Sequence, residues 1–326
     1  MVQRIKAFFW THGPLLTTIA IFVVTYVIGS FMYPAMQKPQ VVFNLFINNG
    51  SLLLVSIGMT LVILTGGIDL SVAGVLALTT TASAALLRAG LSAVVVIPLM
   101  IVMGIAFGTL LGVITHYFKV QPFIVTLMGL FFARGMAYII SLTSVTISND
   151  VYKQLALTPI YIPFLPRTYI YLPTLIAPIM LLVAIYLLNY TRFGRTIYAM
   201  GNNEQSALLM GLSVARTKIA VYAFSGLCSA LAGIVFSMSL LAGYGQFANG
   251  MELDSIASVV MGGISLSGGI GNVIGTLFGV LINGTIVSIL QFNGTLSSWW
   301  TRIGTGMLTL VAIGIQSLFY IREKHS

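Results

Sequence analysis

SIASVVMGGISLSGGIGNVIGTLFGVLINGTIVSILQFNGTLSSWWT, Ser255 to Thr301, is 47 residues long and carries no charged side chain. As one α-helix it would extend about 70 Å, more than twice the hydrocarbon thickness of a bilayer. It therefore reads as two spans. The break falls at GGISLSGGIGN, Gly262 to Asn272, where five glycines each weaken a continuous helix by about 1 kcal/mol and tolerate positive φ.

The rest of the chain follows the same pattern. Of 326 residues, 58% are hydrophobic and only 6% charged, and the mean hydropathy is +1.03; an ordinary soluble domain has about 25% charged residues. So little polar surface excludes a soluble globular chain, and most side chains must face lipid or other apolar helices. A single Cys228 excludes a disulfide framework, and His12, His116 and His325 are too scattered for a zinc cluster. No metal site is expected.

Charge-free stretches measured against about 20 residues per span give an all-α integral membrane protein of about ten transmembrane helices, one transmembrane unit over residues 1–326. Span one centres on residues 15–33, and spans two to five cover 44–65, 70–87, the interval between Arg88 and His116, and 122–142. Pro122 is tolerated in the first turn of span five. Residues 143–172 contain Pro159, Pro163 and Pro166 and read as an extramembrane loop with short helices. Span six covers 173–189, a polar segment follows over 191–218, and span seven covers 219–241. Two spans lie in the opening stretch, and the tenth runs from Trp299 to Tyr320. The first run is span-length with no small-residue cleavage site after it, so it reads as an uncleaved anchor.

With the N-terminus inside, nine basic residues fall in inside segments and four (Lys38, Arg88, Lys153, Arg167) in outside ones. The excess supports an N-in, C-in topology. The net charge of +9 is spread over several loops, which argues against nucleic acid as a partner. Carboxylate relays at mid-membrane are missing from this reading: Asp150, Glu204 and Glu323 fall in loops, Glu252 and Asp254 at an outer span start, and Asp69 between spans two and three. No ion-coupled engine, phosphate-binding loop or catalytic set is visible.

Four stretches are polar or glycine-rich where a membrane favours neither. In GMTLVILTGGIDLSVAG, Gly58 to Gly74, Gly66 and Gly67 end span two as a C-cap would. Asp69 or Ser71 there can accept hydrogen bonds from the amides opening span three, or Asp69 can contact a cytoplasmic partner. PFIVTLMGLFFARG, Pro122 to Gly135, sets Arg134 about twelve residues into span five, either snorkelling to the outer interface or serving structure or pathway. The inside segment Thr191 to Lys218 is long for a connection between packed spans and holds a short amphipathic helix capped by Asn202 or Asn203. Its apolar face would present Ala207, Leu208 and Gly211, which favours a docking surface. In ELDSIASVVMGGISLSGGIGNVIGTLFG, Glu252 to Gly279, GGISLS echoes the GGIDLS of Gly66 to Ser71.

In these four stretches the chain resembles the permease subunit of bacterial monosaccharide ATP-binding-cassette (ABC) importers, the ribose, arabinose, xylose and galactofuranose group. SSWWTRIGTG and ELDSIASVV are most similar to a galactofuranose permease. The resemblance implies a type II-like ABC importer permease in the bacterial inner membrane, surrounded by lipid. It implies pairing with a second, different permease subunit, docking on an ABC ATPase subunit that holds the ATP and Mg, and delivery of sugar by a periplasmic binding protein. It makes 191–218 the cytoplasmic coupling loop and 143–172 periplasmic. In the EAAxxxG pattern of importers only Ala207 and Gly211 match, with Arg195, Gly201 and Asn202 flanking the helix. Polar candidates for a sugar route are Asn48, Asn49, Thr60, Thr126 and Asn283, residues that equally serve as helix-packing hydrogen bonds. Relatives of similar architecture import branched-chain amino acids, and a stand-alone facilitator or a membrane-embedded enzyme are the other classes open to the sequence.

Overall fold

A computed structural model describes residues 2–294 except 166, and beyond them residues 300, 303, 304, 306, 307, 310 and 314. In chain order the elements are α1 (Val2–Met32), α2 (Pro39–Leu64), α3 (Val72–Arg88), α4 (Ala93–Tyr117), α5 (Pro122–Ile140), β1 (Val145–Thr146), α6 (Asp150–Leu157), β2 (Pro159–Tyr161) and β3 (Tyr169–Tyr171). Then come α7 (Ile176–Tyr190), α8 (Arg192–Asn202), α9 (Glu204–Leu209), α10 (Val214–Leu240), β4 (Ala242–Gly243), α11 (Met251–Met261) and α12 (Val273–Asn293).

Seven described helices are long and apolar enough to cross a membrane, and α3, at 17 residues, is a shorter apolar one. They begin and end where local chemistry dictates. Pro39 and Pro122 open α2 and α5 at positions whose amides have no helical partner. Past Thr65 the chain turns left-handed at Gly66 (φ 78°), and the Gly66 and Gly67 amides close on the carbonyls of Ile63 and Val62, a C-terminal cap that glycine adopts without steric cost.

The eighth crossing differs from the sequence reading. In place of a full span there is an 11-residue helix, α11, about 16 Å long, preceded by irregular backbone over 244–250. Leu241, Ala248 and Gly250 take positive φ there, so no continuous helix can run from α10 into α11. The expected tenth span lies outside the described residues apart from isolated positions. Residues 143–172 fold as a small extramembrane cap. β1 pairs antiparallel with β4, and β2 with β3; Tyr152 of α6 is fully buried with its Oη 2.7 Å from Ser237 Oγ. Burial pushes the Tyr152 phenol up to about 12, so it stays protonated in this bond.

β1–β4 pairing puts the α5–α6 and α10–α11 connections at one end of the bundle, hereafter the sheet end. α8 and α9 lie at the other. At the centre α2 is buried over most of its length, packed by α10, α11 and α12. α4 and α10 pack against each other along their length. Gly104, Gly108 and Gly112, one turn apart on α4, lie against the backbone of Ile219, Tyr222 and Gly226 on α10; a Cβ at Gly112 would sit 2.9 Å from Ile219 Cα, and one at Gly104 2.5 Å from Gly226 O. Small residues at four-residue spacing let two membrane helices touch backbone to backbone.

Candidate functional site

At the α9 end, three segments distant in sequence converge on glycines. The Gly269 amide donates to the Leu64 carbonyl at the end of α2 (3.0 Å), and the Tyr198 hydroxyl of α8 donates to the Gly271 carbonyl (3.0 Å). Gly201 fits between these parts. A Cβ there would overlap the Leu64 oxygen and the Gly269 amide and lie 2.8 Å from Gly269 Cα. Gly268 (φ 84°) sits similarly against Gly66, where a Cβ would come within 2.8 Å of the Gly66 amide nitrogen. GGIDLS and GGISLS, echoes of each other in the sequence, are thus in contact, and α8 is wedged onto both.

Beyond this junction α8 buries Gly194, Thr196, Ile197 and Met200, and leaves Arg192 and Arg195 exposed. Asn203 caps α9, its Oδ1 accepting from the Ser206 amide at 2.8 Å. The segment Thr191 to Lys218 therefore holds two helices where the sequence reading expected one, and Arg216 and Lys218 lie on α10, which starts five residues earlier than expected. Ala207 faces inward. It is fully buried against Met200 and Val214, because the turn at Gly211 (φ 75°) folds α9 back on α10. The outward face is instead Leu208, Leu209 and Met210, exposed by 64%, 88% and 66%. Open clefts flank this apolar tip: one of about 550 Å³ bears Arg192 and Arg195, and another of about 530 Å³ bears Lys119 and the Lys218–Glu204 ion pair (2.7 Å). Of the five residues expected at this surface, Arg195, Asn202 and Gly211 are exposed, Ala207 is core and Gly201 is the wedge.

Asp69 is 1% exposed. Its Oδ1 accepts from the Ser71 amide (2.9 Å) and hydroxyl (2.6 Å), and its Oδ2 from the Ser225 hydroxyl (2.7 Å). The carboxylate thus ties the α2–α3 connection to α10. Thr126 Oγ1 donates to Ile68 O (3.2 Å) and ties the same connection to α5. Arg134 does not snorkel. Its guanidinium donates to the carbonyls of Gly245 (2.9 Å), Ala248 (3.4 Å) and Phe247 (3.5 Å) in the irregular 244–250 segment, of which Ala248 also accepts from the Met251 amide (3.1 Å). Inside a membrane such groups must be satisfied within the protein, and Arg134 does so.

Asn49 donates to Leu45 O (2.8 Å) and packs on Gly284 of α12; Thr60 and Thr276 bond to each other at 2.7 Å; Asn283 is buried. Asn49 and Thr60 thus serve helix packing. Asn48 is exposed, and with Ser51, Thr174, Phe236 and Ser239 it lines a cavity of about 440 Å³ at the sheet end, a size that suits a small ligand. Tyr198, Ser225 and Gly269 were not singled out from the sequence, since their partners lie far away along the chain.

Fold and site together define a multi-pass membrane protein with a helical end, α8 and α9, that exposes apolar and basic side chains. A protein family described as "Branched-chain amino acid transport system / permease component" matches residues 41–313, and the chain belongs to it. Among curated proteins it is similar to the inner membrane ABC transporter permease protein YjfF of Escherichia coli K12, 43% identical over 93% of this chain and 91% of that one. It is also similar to the fructose import permease protein FruG of Bifidobacterium longum, 36% identical over 93% and 90%, and to the ribose import permease protein RbsC of E. coli K12, 37% identical over 83% and 84%. No solved structure matches the chain.

Proposed function

We propose that the chain is the membrane permease subunit of an ATP-driven importer that carries a monosaccharide, galactofuranose or a related sugar, across the bacterial inner membrane. In this reading the α9 end is cytoplasmic and the sheet end periplasmic, in accord with the excess of basic residues at the α9 end. A separate ATPase subunit holds the ATP and Mg, a second and different permease completes the membrane unit, and a periplasmic binding protein delivers the sugar to the sheet end.

The observation that carries the reading is the α9 tip. Three consecutive exposed apolar side chains, Leu208 to Met210, close the six-residue helix α9, which is anchored by Ala207 against Met200 and Val214. A patch of this kind, rimmed by basic clefts, suits a protein partner with an acidic rim. Behind the tip, α8 passes displacement through Gly201 and Tyr198 to the loops ending α2 and opening α12, which makes the docking end a lever on the transmembrane helices. Sugar as the cargo is supported by the relatives named as fructose and ribose permeases. Amino-acid transport rests on the family description alone, and no feature of the site favours a stand-alone facilitator.

Leu209→Glu tests the docking surface. Leu209 is 88% exposed, so the variant is expected to insert and melt as the parent does, yet to lose the co-purifying ATPase and ATP-driven uptake of radiolabelled galactofuranose. Retention of both would refute α9 as the docking element, and uptake without ATP by the purified chain would refute the importer.

A further inference from the structure

The cavity at the sheet end lies between the membrane helices and the extramembrane cap. α2 reaches further toward that end than α10 does. Its first turn meets the cap, where the Gln40 side chain donates to the Tyr169 carbonyl (3.1 Å) and accepts from the Tyr169 amide (2.9 Å). Three turns further along, the Ser51 hydroxyl donates to the Ala232 carbonyl of α10 (3.1 Å) and closes the floor of the space, about 440 Å³. α6 supplies one wall with Ala156 and Leu157, held in place by the bond from Tyr152 to Ser237. The turn Leu172–Leu175, which leads into α7, supplies another. The walls are fixed before any ligand arrives, as in most small-molecule sites.

Two observations point to a polar occupant in contact with water. Thr174 lines the cavity and is only 6% exposed, yet its hydroxyl has no hydrogen-bond partner among the described residues. A hydroxyl held that way is destabilising until water or a ligand satisfies it. The second is a polar file on α2. Gln40, Asn44, Asn48 and Ser51 recur at steps of four, four and three residues, on one face of the helix, and run from the cap to the cavity floor. Gln40 Nε2 donates to Asn44 Oδ1 (2.8 Å), whereas Asn48 is exposed and its amide has no hydrogen-bond partner among the described residues. A free carboxamide in hydrocarbon is strongly unfavourable, so polar side chains on a membrane helix face protein or water. No described protein group takes the Asn48 amide, and the file begins at the extramembrane cap, so the cavity opens to water on that side.

We propose that this cavity is a reception site for a neutral monosaccharide, with the Asn48 amide and the Thr174 hydroxyl as its hydrogen-bond partners and the Phe236 ring as its apolar face. Asn48 and Thr174 each both donate and accept. Ser51 and Ser239 commit their protons to the Ala232 and Val235 carbonyls and keep lone pairs free to accept. Such a mixture matches sugar hydroxyls, which also donate and accept. Phe236 is half-buried in the cavity wall and can meet the C–H face of a ring. No charged side chain is among the described residues lining the space, so the ammonium and carboxylate of an amino acid would both go unpaired there. The inference deepens the permease reading and rests on it.

Two measurements test it. Ser239→Cys, at an exposed position on the cavity, is compared in the complex embedded in lipid nanodiscs with Val151→Cys on the extramembrane α6 (48% exposed) and Phe131→Cys at mid-helix on α5 (67% exposed). The native thiol, Cys228, is fully buried and stays silent as background. A methanethiosulfonate should label position 239 within about tenfold of position 151 and far faster than position 131, because the reactive thiolate needs water. At least one of galactofuranose, D-fructose and D-ribose, at saturating concentration, should slow labelling at 239 several-fold and leave 151 unchanged, and L-leucine should do neither. Labelling at 239 as slow as at 131 would overturn the site and mark a face covered by lipid or by a second permease. Protection by none of the three sugars would overturn it as a sugar site. Thr174→Val keeps the shape and removes the hydroxyl. Since that hydroxyl has no partner in the protein, the variant should melt no lower than the parent. The concentration of the protecting sugar for half-maximal uptake into vesicles should rise about fivefold, the worth of one hydrogen bond; an unchanged value would overturn Thr174 as a ligand group. Protection needs no ATP, so uptake that proves independent of ATP would refute the importer and leave the result at the cavity standing.

Discussion

Gly201→Ala is the sharpest probe of the lever at the α9 end. The added methyl would overlap the Leu64 carbonyl oxygen and the Gly269 amide and stand 2.8 Å from Gly269 Cα, so α8 must withdraw by about 1 Å from a close-packed junction. Overpacking of this kind costs about 1 to 3 kcal/mol. The same displacement breaks the 3.0 Å bond from the Gly269 amide to Leu64, worth about 1 kcal/mol net. The sum, about 2 to 4 kcal/mol, should lower the melting temperature of the detergent-solubilised chain by about 5 °C or more. Gly211→Ala is the control: it has positive φ but nothing within 4 Å of the new methyl, so only backbone strain of about 1 kcal/mol applies. In the proposed importer Gly201 would transmit rather than dock, so Gly201→Ala should still bind the ATPase while ATP hydrolysed per sugar imported rises. Melting and coupling equal to the parent's would refute the wedge.

Arg134→Met leaves the Gly245 and Phe247 carbonyls without their guanidinium donor, while Ala248 keeps the Met251 amide; at about 1 to 3 kcal/mol per unsatisfied buried group the 244–250 segment should loosen, read as new protease cleavage there in sealed vesicles, with Arg134→Lys intermediate because it has fewer donors to share. Asp69→Asn retains an acceptor for Ser71 and a donor for Ser225 and should cost less than about 1 kcal/mol, whereas Asp69→Leu orphans those groups and should cost more than about 2; thermal unfolding of the two variants separates these cases. Glu204→Gln removes an ion pair whose acid is 48% exposed, so the melting temperature should stay within about 2 °C of the parent's.

Much of the bundle was legible because bilayer thickness is a ruler and glycine, proline and asparagine punctuate helices by local chemistry. Gly66 ends α2 and Asn203 opens α9 for reasons contained within four residues. The eighth crossing was not legible, since the charge-free stretch from Ser255 to Thr301 measures as two spans by length alone and that ruler is blind to positive φ at Leu241 and Ala248. Arg134 was visible as an anomaly, yet its partners lie more than a hundred residues on, and no spacing rule connects them. For Ala207 the fault lay in the helical wheel: on a helix of six residues the turn at Gly211, rather than the apolar pattern, decides which face meets α10.

The contact between α4 and α10 limits how this molecule can move. Sliding one helix past the other by a single turn would bring Met100 or His116 to places now held by Gly104 and Gly112, where even a methyl group finds backbone in its way. The two helices are therefore keyed like a tongue in a slot and travel as one strut. Any opening to either side of the membrane has to hinge around that strut, and the pieces left free to hinge are those joined by glycine loops and by the unwound stretch before α11.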